Sequence, residues 1–392
     1  MKITSYIFLS LLLAVGCANG EQPTGNGAFS GKVSQNVSHY DFDQIQSAGE
    51  LIVVTMSGPN SYYEYQGRRL GLQYALISHF AQSNGLRVRV ELAHNEKELV
   101  KVLKRQEADI ICYPLADSLI AARQLVGAGM RDDSLHTSWA VRRDCPLLQE
   151  VLDAWYGKGI IVTVEKSVDN DIQHRHQVKK TGLAPYQSKE RGIISPYDEY
   201  LKSAAMVVGW DWRLLAAQCY QESGFDASAV SWAGARGLMQ IMPSTAAHLK
   251  LPMQQIFNPR ENVAAAASYL KELDGLLGDI KDLGERQKFV LAAYNGGLGH
   301  IQDARALTRK HGKNAKLWSD VATSVRLLSD ERYYRDEVVK HGYMVGEETV
   351  GYVNSILDRW HTYCKSIAPV SAGEGIKRNL KGVPVKKNRF TT

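Results

Sequence analysis

The sequence lacks any apolar stretch long enough to cross a bilayer as a helix. The N-terminal run from Ile3 to Val15 is interrupted by Thr4, Ser5 and Ser10, and it falls short of the roughly 20 residues a span requires. Its 5 cysteines never fall in a C-x-x-C pattern, which argues against a zinc site. His174 and His176 form an H-x-H, but no acid or thiol stands at ligand spacing, so the pair reads as exposed linker. No metal or cofactor is expected. Acid is missing from one place in particular: Lys377 to Arg389, "KRNLKGVPVKKNR", holds six basic residues and no carboxylate. That segment reads as a solvated tail, with contact to an anionic polymer or membrane as the alternative. Part of the formal net charge of +6 therefore sits outside any folded core. What is present, 392 residues of which 44% are hydrophobic, suffices for two domains or one large one.

The first residues have the charge, the apolar core and the small-residue exit of a secretory signal. "AVGC", ending at Cys17, resembles a bacterial lipobox with Ala14 in the usual leucine position; the resemblance implies lipidation of Cys17, and a plain cleaved signal is the alternative. Export places Cys112, Cys145, Cys219 and Cys364 in an oxidising compartment, and Cys112 with Cys145 is the expected bridge because both fall in one domain. Ala18 follows the cysteine where inner-membrane retention favours aspartate. The expected location is thus the periplasmic face of the outer membrane of a Gram-negative cell, with the membrane reached through the lipid.

Residues 18–40 are rich in Gly, Asn, Ser and Gln and read as a flexible tether after the signal at 1–17. "LIVVT" at 51–55, "RVRVEL" at 87–92 and "ADIICYPL" at 108–115 read as strands. Between them, 71–84 and 96–106 have helical periodicity, with Leu72, Ala75, Leu76, His79 and Phe80 on the inner face of the first. Strands alternating with helices imply a small parallel sheet. The order, over 41–160, resembles the first lobe of periplasmic solute-binding domains of the amino-acid-binding type. The segment 138–159 resembles that family's last helix and comes too early for a second lobe to precede it. Half of any ligand cleft is then absent, which favours a docking or positioning role, including cell-wall protein partners, over small-ligand binding. Residues 161–195 read as linker.

A single glutamate poses the functional question: "QESGFDASAVSWAGARGLMQIMP" at 221–243 sets Glu222 before a burst of glycines. Upstream, Asp211 is a natural N-cap, and Trp212, Leu215, Ala216 and Cys219 make the buried stripe of a helix that Gly224 ends. Glu222 continues that stripe at its inner end. A carboxylate there loses hydration and favours its protonated form, as a general acid requires. A helix simply emerging into solvent would give the same pattern. Trp210, Trp212 and Trp232 read as core or rim packing.

"SGF" at 223–225, "GARGLMQIMP" at 234–243 and "AAYNGG" at 292–297 match in order and spacing the motifs of the soluble-lytic-transglycosylase family. Across 196–365 the chain is similar to that lysozyme-like, mainly helical domain; 366–392 is the basic tail. The fold class expected is therefore multidomain, an N-terminal α/β single lobe of solute-binding type and a C-terminal mainly α domain. The resemblance implies non-hydrolytic cleavage of the β-1,4 bond between N-acetylmuramic acid and N-acetylglucosamine, with peptidoglycan strands rather than nucleic acid as partner. It gives Glu222 the catalytic role and makes Ser223, Met239, Gln240, Tyr294 and Asn295 the lining of the glycan cleft. "EETVGYVNSIL" at 347–357 looks like the family's last motif, in which Tyr352 faces the acid; ordinary helix core is the other reading of Tyr352. Asp226 is the obvious second carboxylate, but it lies beyond Gly224, and the family works with one acid. A hydrolytic muramidase and a binding lipoprotein with a vestigial enzyme domain are the competing readings.

Overall fold

In the computed structural model residues 40–175 and 188–367 are described. Cys17, nearly all of the tether, His176 and the tail from residue 368 lie outside them. No helix of the described residues is long and apolar enough to cross a membrane.

The first part of the chain runs α1 (Phe42–Ala48), β1 (Glu50–Met56), β2 (Tyr63–Tyr65), β3 (Arg68–Leu70), α2 (Leu72–Ser83), β4 (Arg87–Ala93), α3 (Glu96–Lys104), β5 (Ile110–Ala116), α4 (Asp117–Ala122), β6 (Leu125–Asp132), β7 (Thr137–Arg142), α5 (Pro146–Trp155) and α6 (Lys158–Arg175). Five strands form one sheet in the order β4-β1-β5-β7-β6. The three strands expected from the sequence are its parallel half, whereas β7 runs antiparallel to both β5 and β6. Successive strand side chains face opposite sides, so β1 supplies two cores at once: Leu51 and Val53 pack with Phe80 and Trp139 on one face, Val54 and Met56 with Leu99 and Leu103 on the other. At roughly 1.5–3 kcal/mol for each fully buried large aliphatic or aromatic side chain, these two layers are ample to hold the lobe.

Several expectations need correction. The segment 138–159 is not one helix: its first residues are β7, and the helix begins only at Pro146, because alternating Trp139 and Val141 fill the sheet core. On α2 the inward face is Gln73, Leu76, Ile77, Phe80 and Ala81; Gln73 turns in because its Oε1 accepts from Trp139 Nε1 at 2.6 Å. The stretch read as linker from residue 161 starts inside α6, whose Val164 is buried on the lobe. Cys112 and Cys145 are not bridged, and all four cysteines of the described residues are free thiols. Cys112 points at the Gln73 carbonyl, while Cys145 sits beside Arg142 and the Tyr40 carbonyl. Burial pushes both thiols up, that of Cys145 to about 11.

The rest is helical: α7 (Asp198–Val208), α8 (Trp212–Ser223), α9 (Pro243–His248), a 3-10 turn at Met253–Gln255, α10 (Pro259–Leu276), α11 (Leu283–Gly296), α12 (Leu298–Lys310), α13 (Trp318–Leu327), α14 (Glu331–Tyr334) and α15 (Gly346–Cys364). Asp211 caps α8 by accepting from the Arg213 amide, and Gly224 closes it in the left-handed conformation. Every residue of α8 from Trp212 to Cys219 is buried. The helix is thus an internal axle around which α7, α10, α11 and α15 contribute to one core. Its C-terminal turn is where it meets open space.

The lobe meets this domain through side chains of the β2–β3 hairpin, the residue after β1 and the middle of β5. The Ser57 hydroxyl accepts from the Tyr343 amide at 2.7 Å, Tyr63 meets the Tyr343 ring edge-on at 5.0 Å, and Arg335 donates to the Tyr113 hydroxyl at 3.1 Å.

Candidate active site

A cleft of about 790 Å³ runs past the end of α8, with the helical domain on one side and the β2–β3 hairpin on the other. Glu222 lies on its floor, half-buried. Tyr352, one face of α15, donates its hydroxyl to Glu222 Oε1 at 2.5 Å, and Gln218 Nε2, one turn earlier on α8, donates to the same Tyr352 oxygen at 3.3 Å. Burial, then the charge of Glu222, pushes the Tyr352 phenol well above its ordinary range. It therefore stays protonated and acts as the donor. Tyr294 is pushed up for the same two reasons in the same order. The acid is oriented by a neutral phenol that is itself oriented by an amide.

The 229–241 loop forms the second wall. Asn262, fully buried on α10, donates to the carbonyls of Arg236 and Ile256 at 3.0 and 2.7 Å and accepts from the Met239 amide at 2.8 Å. Gly237 makes this possible: at φ +77 it lies so close that a Cβ would stand 2.5 Å from Asn262 Nδ2 and 2.7 Å from the Ile256 oxygen. Gln240 spends its amide nitrogen on the Gly237 and Ala229 carbonyls at 2.9 and 3.2 Å, which leaves its carbonyl oxygen for a ligand. Asn295 is the complement: its Oδ1 accepts from Thr349 at 2.8 Å, so the NH₂ is the group it can offer.

Of the residues expected in the cleft, Glu222, Gln240, Tyr294, Asn295 and Tyr352 line it. Two do not. Met239 is no apolar wall, being buried in the core, and what it contributes is a carbonyl that accepts the Tyr294 hydroxyl at 2.7 Å. Tyr294 consequently offers ring surface rather than a hydroxyl. Ser223 turns back on its own helix, donating to the Cys219 carbonyl at 3.3 Å, because it is the last residue before the αL glycine. Asp226 is also outside the cleft lining, accepting from the Ser228 amide and hydroxyl.

Sequence reasoning missed the other carboxylates of the cleft, Glu348 and Glu64. Glu348 stands one turn before Tyr352 on α15 and accepts from the Tyr65 hydroxyl of the hairpin. The i, i+4 spacing within "EETVGY" could have flagged it. Trp232 forms the rim: it stacks on Tyr65 at 5.9 Å, lies 4.9 Å beneath the Arg68 guanidinium, and its carbonyl accepts from Arg68 at 3.3 Å. Trp210 and Trp212 are core. At the far end stand His300 and His341, their rings 6.0 Å apart. Burial lowers His300 to about 4, whereas its hydrogen bond to the buried Asp303 raises His341.

A half-buried acid held by a tyrosine, beside offered amides and an aromatic ring in an open trough, is a site for a sugar chain. Residues 199–317 match the transglycosylase SLT domain family, and that part of the chain belongs to it. The chain's relatives include proteins named membrane-bound lytic murein transglycosylase F. That of Aeromonas hydrophila is 25% identical over 413 residues, covering 80% of this chain and 82% of the relative. The Pseudomonas putida protein is 24% identical, covering 88% and 91%. The Haemophilus influenzae protein reaches 42% identity over 146 residues, which are 37% of this chain and 30% of that one.

Proposed function

We propose that the protein cleaves murein glycan strands without water, with Glu222 as the one proton-transfer group. The observation that carries this reading is the Gln218–Tyr352–Glu222 chain of hydrogen bonds opening onto a trough lined by amides. Tyr352 fixes Oε1 as an acceptor, so the transferable proton of the acid form rides on Oε2. That proton passes to the glycosidic oxygen as the bond from C1 of N-acetylmuramic acid breaks, and N-acetylglucosamine departs with a free 4-hydroxyl. The muramyl N-acetyl group supports the positive charge developing at C1 from within the substrate. The same sugar's 6-hydroxyl then attacks C1 and returns its proton to Glu222, closing a 1,6-anhydro ring. Glu222 acts in turn as acid and base, and Tyr352 stabilises the carboxylate between the two steps.

The amides assign themselves to the substrate by what they have left. The Gln240 carbonyl oxygen accepts from a sugar hydroxyl or N–H, Asn295 donates to an acetamido or hydroxyl oxygen, and the Tyr294 ring stacks on a pyranose face. A hydrolytic outcome would need a base aimed at water; Glu348 lines the cleft but is engaged by Tyr65. The relatives' names support a cell-envelope location. An anchor through lipid on Cys17, at the periplasmic face of the outer membrane, is the finer form of that reading.

The deciding experiment is mass spectrometry of muropeptides released from purified peptidoglycan by protein lacking residues 1–17. Products ending in 1,6-anhydromuramic acid, absent with Glu222→Gln, are expected. Reducing-end products would replace this mechanism with hydrolysis, and no release at all would leave a binding lipoprotein.

A further inference from the structure

Every position of α8 from Leu214 to Cys219 is buried, and all but one are apolar; the exception is Gln218. Its side chain is fully buried, yet among the described residues its only hydrogen bond runs from Nε2 to the Tyr352 oxygen at 3.3 Å. Its Oε1 is buried with no partner. A buried amide ordinarily uses both ends, as Asn262 does with two bonds given and one received. Leaving one end empty destabilises a fold, and a leucine or methionine would fill the same space without that penalty. Gln218 is also outside the lining of the cleft, so whatever it does for the reaction passes through Tyr352.

The Tyr352 hydroxyl has one hydrogen to give and lone pairs to receive with. Glu222 Oε1, 2.5 Å away, shares a hydrogen with it, and that hydrogen can belong to either oxygen. If it belongs to the phenol, the proton of the acid form sits on Oε2. If it belongs to the carboxyl group, the acid proton points into the core, where no glycosidic oxygen reaches it. An N–H aimed at the phenol oxygen decides between the two. Gln218 fills the acceptor side of that oxygen, so the phenol's own hydrogen is directed to Glu222. An apolar residue at 218 would leave the acceptor side open and the two arrangements in competition.

We propose that Gln218 is a positioning residue that locks the Tyr352 hydroxyl toward Glu222 and thereby keeps the proton of the acid on Oε2, at the cost of an unsatisfied carbonyl in the core. The inference rests on Glu222 being the proton-transfer group. Gln218 touches neither the acid nor the substrate; it acts by aiming the phenol.

The test measures kcat, KM and the pH profile of the full chain on glycan strands for the wild type, Gln218→Leu and Gln218→Met, with each substitution repeated in a Tyr352→Phe background and melting temperatures taken alongside. Both single variants are expected to lose about tenfold in kcat, as for one lost orienting hydrogen bond, at unchanged KM. The basic limb of their profiles should move to higher pH, because a carboxylate without a committed donor is less stabilised. Cys219, Tyr294 and Tyr352, the ionisable groups that feel the charge of Glu222, are kept neutral by burial, so this limb reports Glu222 itself. Melting temperatures should hold or rise. In the Tyr352→Phe background neither substitution should lower kcat further, since no hydroxyl is left to aim.

An unchanged kcat and pH profile in both single variants overturns the proposal, as do equal losses in the two backgrounds. A fall in melting temperature accompanying the loss of kcat overturns it too, because that would make Gln218 a packing residue. Each of these leaves the transglycosylase reading intact, provided the wild type releases anhydro products. Failure of the wild type to release them removes that reading and this inference with it.

Discussion

The lobe and the helical domain build their cores in opposite ways. The lobe divides its apolar side chains between two faces of a sheet, and the helical domain gathers its own around one buried helix. A sheet core leaves strand edges and hairpins at its margin, and those are what the lobe extends into the cleft. A helix-centred core exposes the end of its axle, and that is where the acid stands. Each part contributes to the site what its architecture leaves uncovered.

The comparison can be broken most severely at the axle. Glu222→Gln is expected to lower kcat by about three orders of magnitude or more, with an unchanged melting temperature, since the isosteric amide removes only the proton donor; a large loss of stability would mean that Glu222 is part of the core. Gly237→Ala should lower unfolding free energy by roughly 3 kcal/mol, because the new methyl strikes Asn262 and the Ile256 carbonyl at a strained φ. Denaturant titration checks this, and a neutral result would show the 229–241 loop to be pliable.

His300 sharpens the comparison through pH. Its folded value of about 4 lies below the ordinary 6.5, so between these values the unfolded chain binds the extra proton. Its contribution is complete above 6.5 and is lost as pH falls through 4, on the order of 3 kcal/mol in all. His341 has the opposite sign: its raised value gives a contribution that is present in acid and lost as pH rises through the folded value. Stability curves of wild type and His300→Gln should therefore diverge in slope between pH 6.5 and 4, with the variant the flatter. The smallest effect belongs to the lobe's tether. Tyr65→Phe removes one hydrogen bond to Glu348 and should change kcat/KM by about two- to tenfold, readable in steady-state kinetics.

How much of this could be read from sequence follows the same division. The Asp211 cap, the Trp212–Leu215–Cys219 stripe and Gly224 bounded α8 correctly, because local chemistry starts and stops a helix. Alternation in 87–92 and apolar runs at 51–55 and 108–115 gave the parallel strands for a similar reason. The hairpin was invisible because Tyr63–Tyr65 and Arg68–Leu70 are short and polar and are held largely by partners far along the chain, such as Trp232 and Glu348. Motif membership brought Met239 and Ser223 to the right neighbourhood, but it does not say whether a residue serves through side chain or backbone. Asn262 passed unnoticed in an alanine-rich helix, although a buried amide must find partners, and it found the loop that shapes the cleft.

The hydrogen bond between Tyr352 and Glu222 joins residues 130 positions apart in the chain. Translation makes the acid long before the helix that orients it. A polypeptide released early, or clipped ahead of α15, therefore carries the glutamate without the phenol that sets its direction. Competence to direct the proton therefore arrives only with α15, the last helix of the described residues, and an incomplete copy carries an acid with nothing to aim it.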